Sequence, residues 1–377
     1  MEESGRSAGR ETHGSRRLTM RVAVKYGAFD QAPVVDEYGE LLGHSAGITL
    51  VRRLLRLFPD PVLIGAQDRR GNGFTVMPLS FLDARDTLVI NMDVIDSVAV
   101  WQTLHSSGAE PMLMNFEWKN PSIYHHRVNF AAMGLSYAMF PTFCNSSRTA
   151  EEVREVVHRW TVQPLAEKAR ISWANLGINV ERVRPRVDAE IPVVLYPAIT
   201  MDARKQPRTF TEVVEQVARR TPIKVEVRLH ESHLVSDIAM SLSTKEYAWV
   251  GPLTTTREAY WDALARTTAF LATADEESYG LEYVEAMLAG AIGVFPDHAW
   301  ARALVPADYP FFYRTVEEAE GLLLRAVTET ERCRNELNRL VEGGSFVNWI
   351  RGAHNDDDFE LAIVTTVQEW FSSEKHM

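Results

Sequence analysis

The sequence predicts an α/β fold of two doubly wound, largely parallel sheets, and three observations carry that reading. The chain has 377 residues, 46% hydrophobic and 24% charged, enough for two cores at roughly 150 residues per domain. After Met20, short β-branched runs alternate with helix-length amphipathic stretches, the pattern of βαβ units. The segment Asn179–Pro192, of mixed charge and containing Pro185 and Pro192, divides the two series and reads as the hinge.

The elements follow in order. Residues 1–19 hold four Arg and three Glu and no apolar run, so a disordered leader is expected there, neither signal peptide nor helix. Met20 is a candidate start of the working polypeptide. A first domain is expected over 20–185. Its strands are predicted at Arg21–Tyr26, Val62–Gly65, Phe74–Met77, Thr87–Asn91, Met112–Phe116 and Tyr137–Phe140. Leu50, Val51, Leu54, Leu55 and Leu57 recur at helical spacing within Ile48–Phe58, and further helices are predicted at Val94–Leu104 and Ala150–Ala169. A second domain is expected over 192–350, with strands Val193–Tyr196, Lys224–Leu229, Ala248–Gly251, Ala269–Ala272 and Ile292–Phe295. Helices Thr209–Ala218, Tyr260–Ala265, Leu281–Ala289 and Val316–Val341 separate or follow these strands. Residues 358–377 are expected to form a final helix, in which Leu361, Val364, Val367 and Trp370 recur every three or four residues. Sheets of this kind bind ligands beyond the carboxyl ends of their strands, so the two cores are expected to face each other across a cleft.

Composition narrows the function. No stretch approaches the roughly 18 consecutive apolar residues of a membrane span. Cys144 and Cys333 are the two cysteines and neither has a CxxC or CxxH neighbour, which excludes a disulfide framework and a thiolate zinc site and fits a reducing, cytoplasmic setting. The net charge is −11; residues 20–191 hold 18 Lys+Arg against 19 Asp+Glu, and residues 192–377 hold 18 against 29. That balance disfavours a duplex nucleic acid as partner and leaves room for a small anion held by a few local cations.

The most informative segment is Glu277-Ser278-Tyr279-Gly280-Leu281-Glu282-Tyr283-Val284-Glu285-Ala286-Met287-Leu288-Ala289-Gly290. It runs from a predicted strand into a predicted helix, with Gly280 at the turn, so the amides of Gly280 and Leu281 point at whatever lies above the sheet. A helix start of this kind favours a phosphate. Glu285 follows Leu281 by one turn on the same face, placed to accept two sugar hydroxyls, and Glu277 precedes the turn.

The spacing Glu, seven residues, Glu, with Tyr-Gly-Leu after the first Glu and Glu-Ala-Met around the second, resembles retaining glycosyltransferases of GT-B fold, family 4 type. Asn175-Leu176-Gly177-Ile178-Asn179 is similar to that family's Asn-Gly-Ile-Asp turn, with Leu176 inserted. The stretch Leu195 to Phe210 is similar to the strand and loop that present basic residues to the donor diphosphate. There Lys205 matches the loop lysine, while Ile199 and Thr200 stand where an arginine is usual and Arg204 is the available substitute. In the first half the resemblance is architectural: a strand, the loop Gly43-His44-Ser45-Ala46-Gly47, then a helix.

The resemblance implies two Rossmann-like domains and a nucleotide diphosphate sugar as co-substrate, transferred with retention of configuration. By it, Glu277, Lys205 and His44 are catalytic. The donor site takes Glu285, Gly280, Leu281, Tyr279, Ser278, Lys205, Arg204, Thr200 and Gly251, and the acceptor side takes Gly43, His44, Gly47, Glu117, Trp118 and His125. Fixed cations and helix amides can neutralise a departing diphosphate, so neither metal nor cofactor is expected. The run Asp356-Asp357-Asp358 reads as a solvated acidic turn after the last domain helix.

Alternatives stand beside these readings. Without the Tyr-Gly-Leu context both glutamates would be ordinary exposed carboxylates, and Arg204 with Lys205 a plain solvated loop. His44 is a loop residue or lines the cleft; Trp118 stacks on an acceptor or joins the core; His125 and His126 are a base or ligand, or simply surface and buried neighbours. The final helix crosses back onto the first domain, as the resemblance implies, or forms a homodimer interface; monomer and homodimer both remain open. The acceptor is unknown. The carboxy-half pattern also resembles transferases that glycosylate a modified nucleobase or nucleoside, and a catalytically inactive nucleotide-binding protein is the reading from another class.

Overall fold

The computed structural model describes residues 20–30, 34–42, 45–254 and 256–371. The predicted leader, and Gly43 and His44, lie outside the described residues. The chain forms two compact units, Met1–Asn115 with Thr366–Met377, and Phe116–Thr365.

In the first unit the strands are β1 (Arg21–Lys25), β2 (Val62–Ile64), β3 (Arg69–Arg70), β4 (Thr75–Met77), β5 (Thr87–Asn91) and the start of β6 (Met112–Glu117), in the sheet order β3-β4-β2-β1-β5-β6. All pair in parallel except β3, a short exposed antiparallel edge of two arginines, the kind of charged edge that resists further pairing. β1 and β5 are buried almost throughout, as strands covered on both faces must be. The order reverses between β1 and β5, and beyond that point the buried Lys25 ammonium pairs with Asp96 at 2.7 Å.

The second unit holds the end of β6, the parallel pair β7 (Thr142–Cys144) and β8 (Ile171–Trp173), and a second sheet. That sheet comprises β9 (Val193–Tyr196), β10 (Lys224–Leu229), β11 (Ala248–Pro252), β12 (Ala269–Leu271), β13 (Ile292–Pro296) and β14 (Phe312–Tyr313), in the order β11-β10-β9-β12-β13-β14. Its neighbouring strands pair in parallel throughout. The chain thus winds outward from β9 to one edge and from β12 to the other. The loops leaving β9 and β12 therefore diverge from one crevice, the switch point where open α/β sheets bind ligands.

The sequence and the structure differ at five places, one of them the expected helix Ala150–Ala169, which is two helices, Ser147–Trp160 and Gln163–Ala166, with Thr161 and Val162 extended between them. Tyr137–Phe140 is not a strand: Arg127–Met139 is a helix that buries Met133, Tyr137 and Ala138, and the strand is Thr142–Cys144. An apolar run of this length fits a buried helix as well as a strand, and Pro141 forces Phe140 into an extended conformation, which ends the helix. Val316–Val341 is two helices, Val316–Thr328 and Thr330–Arg339, broken where Glu329 leaves helical geometry. Asp356-Asp357-Asp358 is not a turn; it opens the helix Asp356–Phe371, where carboxylates favour the positive end of the dipole. The inward stripe of that helix is Phe359, Ile363, Val367 and Phe371, each four residues from the last, whereas Leu361 is 69% exposed. The Phe359 ring lies 5.9 Å from Phe116 of β6 and 5.8 Å from Phe143 of β7. No helix among the described residues is long and apolar enough to cross a membrane.

β6 ends on a buried carboxylate, Glu117, which accepts hydrogen bonds from the Tyr137 hydroxyl and, at 3.1 Å, the Lys119 amide. Burial pushes this carboxyl up to about 7; its hydrogen bonds oppose the shift and the Glu152 charge adds to it. The folded chain therefore binds this proton more tightly than the unfolded chain, so stability falls as pH rises from about 4.5 to about 7 and is level above. Glu117→Gln is expected to gain stability relative to the parent between pH 5 and pH 8 by up to about 3 kcal/mol, read from urea unfolding at the two pH values. An equal change at both would show that the carboxylate carries no such penalty.

Candidate functional site

Two loops build the site. After β9 the chain forms a short 3-10 turn, Ala203–Lys205, and Gln206 adopts a left-handed conformation (φ 47°) before Pro207 starts the helix Pro207–Arg220. Left-handed geometry is costly outside glycine, and here it is held from both sides. Gln206 bonds back to the Ala203 carbonyl at 3.0 Å, and its side-chain amide reaches Asp275 at 2.7 Å. The loop after β12 clasps the same turn, with Thr273 Oγ1 donating to the Lys205 carbonyl at 2.7 Å and the Asp275 amide to the Arg204 carbonyl at 2.9 Å. Lys205 is in this way presented across the crevice.

Its ammonium meets Glu277. One carboxylate oxygen, Oε1, accepts from Lys205 Nζ and, at 2.7 Å, from the Tyr283 hydroxyl. Tyr283 is itself immobilised. Its ring stacks on Trp300 at 5.2 Å and packs on Phe270 and Phe295 at 5.7 Å each, contacts worth about 0.5–1.5 kcal/mol apiece beyond burial. Burial, with Glu277 and Glu282 adding to it, holds the Tyr283 phenol well above its usual range, so it remains a donor. Burial likewise raises the Glu282 carboxyl; Lys205 opposes this and Glu277 adds to it.

Gly280 follows at φ 87°, ψ 51°, the cap of the helix Leu281–Leu288. A Cβ there would lie 2.6 Å from the Tyr283 ring, so the turn requires glycine on both counts. The first intrahelical bond is Tyr283 N–H to the Gly280 carbonyl at 3.2 Å, so the amides of Gly280 and Leu281 precede the helical ladder. Further in, Glu285 is buried at 8% exposure, and both its oxygens are engaged: Oε1 by Arg257 and Oε2 by the Tyr260 hydroxyl, each at 2.6 Å. The Arg257 guanidinium also lies 4.9 Å over the Tyr260 ring. Each carboxylate oxygen retains a second lone pair for a further donor.

The Glu277 loop is fixed from outside as well. Arg148 donates to the Glu277 carbonyl at 2.7 Å and pairs with Glu276 and, at 3.1 Å, with Glu152. Ser278 Oγ accepts from the Asn120 amide at 3.4 Å. The buried Tyr279 hydroxyl accepts from the Gly177 amide at 3.3 Å and donates to His354 Nδ1 at 2.6 Å; His354 Nε2–H then donates to the Leu304 carbonyl at 3.0 Å. Burial lowers the His354 pKa, the Leu304 bond opposing it, and so favours the neutral ring this relay needs. Gly177, at φ 60°, passes so close to Asn355 that any Cβ would strike its carbonyl.

The structure thus brings Lys205, Glu277, Ser278, Tyr279, Gly280 and Leu281 together, with Glu285 one to two turns deeper. Thr200 belongs to the same loop as Lys205, its carbonyl accepting from Tyr196 at 2.9 Å, and the Arg204 side chain is exposed. Gly251 lies on edge strand β11, with β10 between it and β9, and its missing side chain makes room for the Trp249 ring. Trp118 is half-buried under the Lys119 ammonium at 4.5 Å, and His125 is exposed. In the first unit, Gly47 allows the helix Ala46–Leu57 to approach the Tyr26 ring. Sequence reasoning missed Tyr283, Arg257, Tyr260, Arg148 and His354. Tyr283 had a local signal, standing three residues after Gly280 on the same helix; the others arrive from remote elements.

No protein-family profile matches the chain, and no curated protein matches its sequence. Solved structures do resemble it. Sucrose-phosphate synthase from Thermosynechococcus elongatus superposes with a TM-score of 0.69 at 12% identity, covering 94% of this chain and all of that one. Trehalose-6-phosphate synthase OtsA gives 0.66 at 10% identity over 93% of this chain and 99% of that one. Anabaena Alr3699/HepE, solved with UDP and glucose, gives 0.65 at 11% identity over 93% of this chain and 100% of that one. At such identities the likeness speaks for architecture alone, and the chain has the GT-B fold of two Rossmann-like α/β domains.

Proposed function

We propose that this protein is a glycosyltransferase of family 4 type that moves a sugar from a nucleotide diphosphate sugar to an acceptor, with retention of configuration and without a metal. The observation that carries the reading is the grip of Lys205 and Tyr283 on Glu277 at the β9/β12 switch point, directly before the Gly280-led helix start. The structural neighbour solved with UDP and glucose supports a nucleotide sugar as donor.

The chemistry follows from charge. Cleaving the bond between the sugar's anomeric carbon and the diphosphate builds negative charge on the departing oxygen. Lys205 and the Gly280 and Leu281 amides are fixed donors where such an anion would rest, and preorganised donors need no rearrangement as charge grows. Glu277 receives the hydroxyls of the transferred sugar, and Lys205, now its partner, is shared with the diphosphate. Glu285, steadied by Arg257 and Tyr260, receives the ribose hydroxyls. Retention requires the acceptor to attack from the face the diphosphate leaves. Its hydroxyl proton then passes to the departing phosphate oxygen as the new carbon–oxygen bond forms, so no separate base is needed.

Two outcomes are expected. In thermal-shift and calorimetric titrations with UDP, GDP and ADP, one nucleotide stabilises the protein, and Glu285→Ala weakens it by roughly 1–3 kcal/mol, about 5- to 150-fold. Unchanged affinity would remove the ribose role. With the donor identified, Glu277→Gln lowers transfer by about 100-fold or more while nucleotide affinity stays within about threefold. Nucleotide binding with neither transfer nor donor hydrolysis for any sugar would instead establish a binding protein.

A further inference from the structure

The second unit contains a cavity of about 420 Å³ away from Glu277 and Glu285, a volume within the usual range of small-molecule sites. One wall is apolar, from Met287, Leu288, Leu337 and Phe346. Around it stand four arginines, Arg184, Arg186, Arg334 and Arg351, and among the described residues no carboxylate lines the space. Two of the four, Arg334 and Arg351, belong to residues 192–377, where Asp+Glu outnumber Lys+Arg by 29 to 18.

The carboxylates that face these arginines stand outside the cavity on exposed positions. Asp188 meets Arg186 at 3.0 Å and Arg334 at 3.3 Å, Glu331 meets Arg334 at 2.5 Å, and Asp262 meets Arg184 at 3.7 Å. Both contacts to Arg334 use Nη1. Its Nε and Nη2 are shielded from water and have no hydrogen-bond partner among the described residues. These two nitrogens form the side of the guanidinium that receives an oxyanion through paired hydrogen bonds. Arg186 crowds the same place, and burial followed by the Arg334 charge lowers its pKa.

We propose that this cavity binds a small amphiphilic anion, a phosphate or carboxylate on an apolar body, and that the ligand acts as an effector of the nucleotide site. The oxyanion pairs with Arg334 Nε and Nη2, whose covering side chains part to admit it, and the apolar body lies on Leu337 and Phe346. Coupling has a direct route. The cavity wall from Met287 to Ile292 runs from the carboxyl end of the helix Leu281–Leu288, which carries Glu285, through the turn into β13, and Arg186 ties that turn to the segment before β12 by donating to the Gly290 carbonyl at 3.3 Å and the Thr267 carbonyl at 2.7 Å. The effector role rests on the donor-site reading above; the binding itself does not.

Hexyl phosphate and hexanoate are the probes, measured by calorimetry on the full chain without nucleotide. At least one is expected to bind with 1:1 stoichiometry, and inorganic phosphate and hexanol each at least tenfold more weakly. Arg334→Met is expected to weaken the probe at least tenfold, and Val347→Trp, which fills the cavity and leaves every arginine in place, to block it. Circular dichroism and melting curves verify that both variants fold. Probe affinity unchanged in both variants, or lost only where the fold is lost, overturns the site. Displacement of the probe by UDP that persists in Glu285→Ala overturns it too, by making the cavity a nucleotide site. For the effector role, saturating probe is expected to change nucleotide affinity at least threefold in the parent and not in Val347→Trp. Probe binding with nucleotide affinity unaltered overturns that role alone.

Discussion

A carboxylate held between a cation and a phenol is the constraint around which the second unit is organised. Glu277 can be held out of bulk water because Lys205 and Tyr283 converge on one of its oxygens, and an unpaired charge in that position would be far costlier than the pair. Each partner depends on something else. Lys205 stands where it does because Gln206 accepts a left-handed conformation that Asp275 and Ala203 hold in place. Tyr283 stands where it does because Phe270, Phe295 and Trp300 enclose its ring and Gly280 leaves room beside it. Packing in the core of the second sheet is thereby converted into the position of one polar atom above it.

A second ring of contacts makes this arrangement rigid. Arg148 grips the Glu277 backbone, and the Tyr279 hydroxyl links the Gly177 turn to His354 and onward to Leu304. The buried histidine works as a neutral relay, donating on one side and accepting on the other, so its lowered pKa is part of its structural role. Segments more than a hundred residues apart in the chain therefore share one hydrogen-bonded network around the loop. Preorganisation of this kind is what electrostatic catalysis requires, because donors already in place do not spend binding energy on moving.

The two glutamates show two ways of stabilising a buried acid. Glu277 uses a lysine and a single phenol, a pair that a phosphate can reorganise by competing for the lysine. Glu285 engages each oxygen separately, with Arg257 and Tyr260, and sits inside the helix. The first is suited to a changing partner and the second to a constant one, which is what the transferred sugar and retained ribose proposed above would need.

Much of this was legible in the chain. Alternating β-branched runs and amphipathic stretches specify an α/β fold because their periods are local properties, and the strands β1, β5, β6, β9, β10, β12 and β13 fall close to where those runs place them. Gly280 and the Glu277–Glu285 spacing were readable for the same reason, since a turn into a helix and one helical face involve only near neighbours. Tyr137–Phe140 was misread because a short apolar run carries no period that separates strand from buried helix, and the inward face of the final helix was misread because Leu361 is as apolar as Ile363. Other features required the tertiary structure. From distant elements Arg257 and Tyr260 reach Glu285, Arg148 the Glu277 carbonyl and His354 the Tyr279 hydroxyl, and the four arginines of the cavity come from three separate stretches of chain. The amino-acid sequence by itself determined most of the strands and where a glycine-led turn into a helix can stand; which charges meet, and which guanidinium nitrogens are left unpaired, was decided by packing between residues that are remote in sequence.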